Sequence, residues 1–106
     1  MRGHARMRDS NEKEIIAALK AAGATVTQLN GTGVPDLLVG HAGNTFLLEV
    51  KLPLGPRGGK QLRGGADPRG DGVLTESQVK WWGDWKGAPA QIVRSVDDAL
   101  RAIGAR

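Results

Sequence analysis

Residues 33–51 read GVPDLLVGHAGNTFLLEVK, and the reading of this stretch decides the fold. Two apolar runs, 34–40 and 44–51, are separated by His41-Ala42-Gly43, the pattern of a β-hairpin with a short Gly-containing loop. Successive side chains on a strand point to opposite faces, so Phe46, Leu48 and Val50 share one face of the second strand while Leu47, Glu49 and Lys51 share the other. Asp36 opens the first strand. Antiparallel pairing sets the start of one strand against the end of the next, so Asp36 is expected beside Glu49 and Lys51. Two carboxylates and one ammonium group then converge at one end of the hairpin.

Like charges close together across a ladder are destabilising, so an Asp and a Glu held on a mostly apolar hairpin call for a compensating cation. Lys51 supplies one positive charge. A divalent metal would supply the rest, and Mg²⁺ suits two carboxylates because it takes oxygen ligands, keeps several waters and accepts phosphate oxygens. That combination favours phosphodiester chemistry. A plainer reading of the same residues is a turn Asp after Pro and a solvated Glu-x-Lys ion pair. Against it, the flanking strands are too apolar for an exposed edge. Pro35-Asp36 followed by Glu49-Val50-Lys51 resembles the PD-(D/E)XK nuclease motif, and the chain is similar to small stand-alone phage and bacterial proteins of the virus-type replication-repair nuclease (VRR-NUC) family, relatives of Holliday-junction resolvases.

With 106 residues the chain is expected to form a single domain, residues 1–106, around one core, and no internal repeat is visible. No apolar run is long enough to span a membrane and no signal-peptide pattern is present, so a soluble cytoplasmic protein is expected. The absence of cysteine rules out disulfides, a thiolate zinc site and a cysteine nucleophile. His4 and His41 read as surface residues. A formal charge of +4 and a pI near 10.0 suit a polyanionic partner.

Residues 1–8, with Arg2, Arg6 and Arg8, read as a basic tail able to touch phosphates. Asp9, Ser10 and Asn11 are N-cap candidates for an amphipathic helix over 12–22 that Gly23 closes. Glu12 falls on its apolar stripe of Ile15, Ile16 and Leu19, either completing a capping box with Asp9 or reaching toward the hairpin charges. Residues 24–30 read as a first strand, and Gly31-Thr32-Gly33 as a loop too short for a phosphate-cradling P-loop. Residues 52–73 contain seven Gly and three Pro, with Arg57, Lys60, Arg63 and Arg69 outweighing Asp67 and Asp71; this is expected to be a long flexible basic loop that contacts DNA, or a plain insertion. Thr75-Glu76-Ser77-Gln78 is a capping-box pattern opening a helix to about residue 86. Gln78, Trp81, Trp82 and Trp85 lie within one arc of about 100° on that helix. The tryptophans are expected to pack against the sheet, with Trp82 the odd one and partly exposed. Gln78 is either the reciprocal cap of Thr75 or a polar group on the sheet-facing side that helps hold the water or phosphate near Lys51. A strand over 90–94 and a helix through 103, capped by Ser95 and Asp98, complete the chain.

This order, helix, three strands, basic loop, helix, strand, helix, predicts an α/β sandwich with the hairpin at its centre. The resemblance implies a restriction-endonuclease-like α-β-β-β-α-β core with a mixed sheet flanked by helices, and a Mg²⁺- or Mn²⁺-dependent deoxyribonuclease acting on duplex or branched DNA in phage or bacterial replication, repair or recombination. It further implies that Asp36, Glu49 and the Val50 carbonyl bind the metal with Glu12 reaching it from the first helix, that Lys51 orients or helps deprotonate the attacking water, that Glu12 and Gln78 complete the site, and that the protein acts as a homodimer. DNA-binding candidates are Arg6, Arg8, Arg57, Lys60, Arg63 and Arg69. Two other readings use the same residues: a catalytically silent DNA-binding module of this fold, and a structural phage protein whose hairpin charges only pair with one another.

Overall fold

The computed structural model describes residues 10–53 and 74–106; Arg2, Arg6, Arg8, Asp9, Arg57, Lys60, Arg63 and Arg69 lie outside them. Helix α1 (Glu12–Ala21) carries Glu12 and Glu14 in its first turn and Lys20 in its last, each sign suited to its end of the helix dipole. Gly23, at φ +96°, ends it: the Gly23 N–H donates to the Lys20 carbonyl and the Ala24 N–H to the Leu19 carbonyl, both at 3.0 Å, which is a Schellman closure.

Four strands form one sheet in the order β1 (Thr25–Gln28), β2 (Leu37–His41), β3 (Asn44–Val50), β4 (Gln91–Val93). The first two pairings are antiparallel and β4 runs parallel to β3. A parallel pair needs a crossover, and this one carries helix α2 (Glu76–Asp84). Helix α3 (Val96–Ala102) follows β4, with Ser95 Oγ accepting the Asp98 N–H at 3.0 Å as its cap. The protein is therefore mixed α/β, a four-stranded mixed sheet with helices and the hairpin at its centre.

The hairpin differs in detail from its expected form. His41 pairs with Asn44, so the loop is the two residues Ala42 and Gly43, at φ +51° and +82°. Positive φ at both positions is the type I′ geometry whose twist matches that of the strands, here with alanine where Asn or Asp is usual. His41 is half-buried at the end of β2, not a surface turn residue. Residues 34–36 lie outside β2, although the Leu29 N–H still donates to the Asp36 carbonyl at 2.8 Å and holds the entry against β1.

One sheet face presents Leu37, Val39, Leu48, Val50 and Val93 to Ile15 and Leu19 of α1 and to Ala99 and Ile103 at α3, all buried. Removing that apolar surface from water is the main stabilising term, about 25 cal/mol per Å². The tryptophans do not join this core. Trp81 and Trp82 are half-buried and Trp85 is 42% exposed, because α2 meets the sheet where its surface is Glu49 and Lys51, and the buried residue of the helix is Gln78. The helix also ends at Asp84, short of residue 86, with Trp85 already extended at φ −69°, ψ 129°. Among the described residues no helix is long and apolar enough to cross a membrane.

Candidate active site

Leu37 faces Leu48, so continuing the register by one residue sets Asp36 opposite Glu49, on the sheet face away from α1 and α3. Glu49 is 3% exposed, Asp36 6%, Gln78 7% and Glu12 2%, an unusual set of buried polar groups for so small a domain. Asp36 Oδ2 accepts the Val50 N–H at 2.7 Å. Within a strand the N–H and C=O of one residue point to the same edge, and the Lys51 N–H is taken by the Val93 carbonyl on the opposite side. The Val50 carbonyl is therefore aimed toward the Asp36 side of β3.

Gln78 joins the remaining charges. Its Nε2 donates to Glu49 Oε2 at 2.7 Å, while its Oε1 accepts from Lys51 Nζ at 3.1 Å and from the Thr75 N–H at 2.8 Å. Only this amide orientation works, since the reverse would set NH₂ against an ammonium and a backbone N–H and set C=O against a carboxylate. Gln78 occupies both expected positions at once. It is the reciprocal cap of Thr75, whose Oγ1 accepts the Gln78 N–H at 3.3 Å, and it faces Lys51. Lys51 Nζ also lies 3.6 Å from Glu49 Oε2, with little of either side chain exposed. The ammonium is thus positioned by two acceptors, and the carboxylate by an amide and a cation.

The loop before Asp36 is shaped to let α2 approach. Gly33 has φ +80°, and a Cβ there would collide with the Ser77 carbonyl and crowd Trp81 Cβ. Residues 30–33 and the start of α2, including Thr75 and Gln78, line an open polar cleft of about 480 Å³. This cleft gives a polar ligand access to the Gln78 end of the cluster.

Two further side chains make contacts between distant elements that the sequence reading did not single out. Gln28 Nε2 donates to Glu12 Oε2 at 3.1 Å, on the face covered by α1. Asn11 stands at the N-cap position but makes no side-chain cap; its Nδ2 instead donates to the Lys51 carbonyl at 3.1 Å and to the Arg94 carbonyl at 3.0 Å. The sequence signal for each is weak, because the partners lie 16, 40 and 83 residues away. Among the described residues no three His, Cys, Asp or Glu side chains form a group able to hold a metal ion, so Glu12 does not complete a three-carboxylate cluster with Asp36 and Glu49.

The donor set fits one class of metal. Two carboxylates and a backbone carbonyl are hard oxygen ligands, too few for an all-protein cage and suited to an ion that keeps waters and takes substrate oxygens, such as Mg²⁺ or Mn²⁺. Comparison of the chain with protein families, with characterised proteins and with solved structures found no match.

Proposed function

We propose that the protein is a metal-dependent deoxyribonuclease of the PD-(D/E)XK kind, built on a restriction-endonuclease-like core. The observation that carries this reading is the arrangement at the open end of the hairpin. Asp36 is bonded to the Val50 N–H, and Glu49 near the end of β3 and Lys51 just beyond that end are joined through Gln78. The antiparallel β1-β2-β3 meander with β4 parallel to β3 is consistent with that core.

In this reading Asp36, Glu49 and the Val50 carbonyl hold Mg²⁺ or Mn²⁺. Such an ion, when bound, would supply Lewis-acid polarisation of the phosphate and a lowered pKa for a coordinated water. Lys51 puts a compact positive charge beside the oxyanion that develops on phosphorus and orients the attacking water. Gln78 acts as a positioning residue, fixing the Lys51 ammonium and the Glu49 carboxylate relative to each other before substrate arrives. Preference for branched DNA, action as a homodimer and a place in phage or bacterial DNA processing extend the proposal from the motif resemblance.

A second reading has the direct Lys51–Glu49 contact in its favour: the charges serve only to satisfy each other and the chain binds DNA without cutting it, or assembles without DNA. The deciding experiment offers duplex, flap and four-way-junction DNA with Mg²⁺ or Mn²⁺, with and without chelator. Metal-dependent cleavage that is lost in Glu49→Gln supports the nuclease. A Glu49→Gln protein that cuts as well as the parent would refute this site.

A further inference from the structure

The indoles of α2 form a surface feature that the hydrolytic site does not use. Trp81 and Trp85 are stacked, with ring centroids 4.9 Å apart and planes inclined by 15°. Trp85 is exposed yet held: its Nε1 donates to the Ala88 carbonyl at 2.7 Å, and its ring lies so close over Gly87 that a Cβ there would collide with it. Trp81, Trp82, Trp85, Gly87, Pro89 and Ala90 line a cavity of about 210 Å³. Trp82 Nε1, in the same cluster, is buried without a hydrogen-bond partner, so a donor is left unused there.

We infer that this indole cavity binds an unpaired nucleobase of a DNA strand whose backbone passes the Asp36–Glu49–Lys51 cluster. The inference rests on the nuclease reading for the placement of that backbone, and it adds a substrate feature, a single-stranded region next to the cut. Three observations select a nucleobase as the occupant. Trp81 and Trp82 continue the helical row that begins with Gln78, at steps of three and four residues, and Trp85 stands at the C-cap of the same helix, so the cavity adjoins the proposed site along one helix. At about 1.5 Å rise per residue Trp81 and Trp82 lie about 4.5 to 6 Å along the axis from Gln78, or roughly one to two stacked nucleotides of a strand. Finally, the cavity wall is flat and aromatic, with Trp85 pinned in place, and the exposed Lys86 stands in sequence between its lining residues Trp85 and Gly87 on a chain of net charge +4, which suits a base attached to a polyanion better than an apolar peptide. Stacking on aromatic side chains tolerates any base, so the cavity selects for unpaired strand and not for sequence.

The test is a binding measurement in chelator, which separates it from cleavage. Tryptophan emission is titrated with an oligodeoxythymidylate of roughly a dozen nucleotides, within the range one single-strand site spans. The same titration is run with blunt duplex of equal length, on the parent and on Trp85→Ala and Trp85→Phe. Quenching of the parent by the single strand is expected, with affinity about 5- to 150-fold weaker in Trp85→Ala, the effect of losing one base stack. Trp85→Phe should restore most of it, and blunt duplex should bind parent and variants within about two-fold of each other. Equal affinity of parent and Trp85→Ala for the single strand overturns the inference even where the parent cleaves DNA. A specific loss in Trp85→Ala upholds it even where no cleavage is found, in which case the nuclease reading alone fails. Should Trp85→Ala not fold, the parent titration decides: emission unchanged by the single strand, or changed only by dilution of the protein, refutes a nucleobase occupant.

Discussion

Replacing Gln78 by Leu is the most informative perturbation of the cluster, because one side chain of similar size makes three separable contacts. The change removes the 2.7 Å donor to Glu49, the 3.1 Å acceptor for Lys51 Nζ and the 2.8 Å acceptor for the Thr75 N–H. A hydrogen bond to a buried charged group contributes about 1.5–3 kcal/mol, and loss of one half of a capping box about 0.5–1 kcal/mol. Glu49 stays buried and keeps Lys51 as a partner at 3.6 Å, so part of the loss is recovered by a tighter ion pair. A net destabilisation of about 2–3 kcal/mol follows. For a domain of this size it lowers the urea midpoint by about 1–2 M at unchanged slope. Thr75→Ala is the control. It removes the Oγ1 acceptor of the same capping box, costs about 1 kcal/mol and leaves the Gln78 bridge to Glu49 and Lys51 in place. The expected order in equilibrium urea unfolding is parent, Thr75→Ala, Gln78→Leu. If Gln78→Leu costs no more than Thr75→Ala, Gln78 is a helix cap and nothing else, and its role in positioning Lys51 is refuted.

Asp36→Asn keeps an acceptor for the Val50 N–H, so it should remain within about 1 kcal/mol of the parent in stability while losing metal-dependent cleavage; a variant that unfolds with a large midpoint shift would make Asp36 structural. Lys51→Met should lose turnover and still bind Mn²⁺, read by calorimetric titration; an unmeasurable Mn²⁺ affinity would assign the lysine to holding the carboxylates together. Gly33→Ala forces a side chain into a left-handed backbone and against Ser77 and Trp81, at a cost of at least about 1–2 kcal/mol, so the thermal midpoint should fall by roughly 5–10 °C, checked by circular dichroism. Replacing Arg57, Lys60, Arg63 and Arg69 by Ser should flatten the slope of log affinity against log salt on duplex DNA by up to about three or four units. An unchanged slope would remove those residues from the DNA interface.

The hairpin was legible because two local codes agree: alternation over 44–50 assigns Leu48 and Val50 to one face and Glu49 to the other, and a reversal near Ala42-Gly43 sets the register that brings Asp36 to Glu49. The turn was misjudged by one residue because alanine rarely adopts the positive φ that Ala42 has here. The capping box of Thr75 and the cap by Ser95 were equally readable, being local in sequence. The tryptophan stripe misled for a physical reason. Helical periodicity reports that the indoles share a side of α2, but not whether the surface opposite is apolar, and where α2 meets the sheet it is Glu49 and Lys51. The contacts of Asn11 and Gln28 were invisible because they depend on how distant elements dock. No residue type at position 11 announces a partner at 94.

The grip on the end of β3 carries a consequence for how the chain tolerates change. The Lys51 N–H is bonded to the Val93 carbonyl, the Lys51 carbonyl to Asn11 and the Leu52 carbonyl to the Arg94 guanidinium at 3.0 Å, so three successive backbone groups are clamped just before residues 54–73 begin. Such a clamp acts as mechanical insulation. Lengthening or scission of the following segment is expected to meet these bonds at residues 51 and 52 before it reaches Glu49 along the chain. The segment is then expected to accept replacement by another sequence, or opening to create new chain ends, while the cluster on the hairpin stays in register.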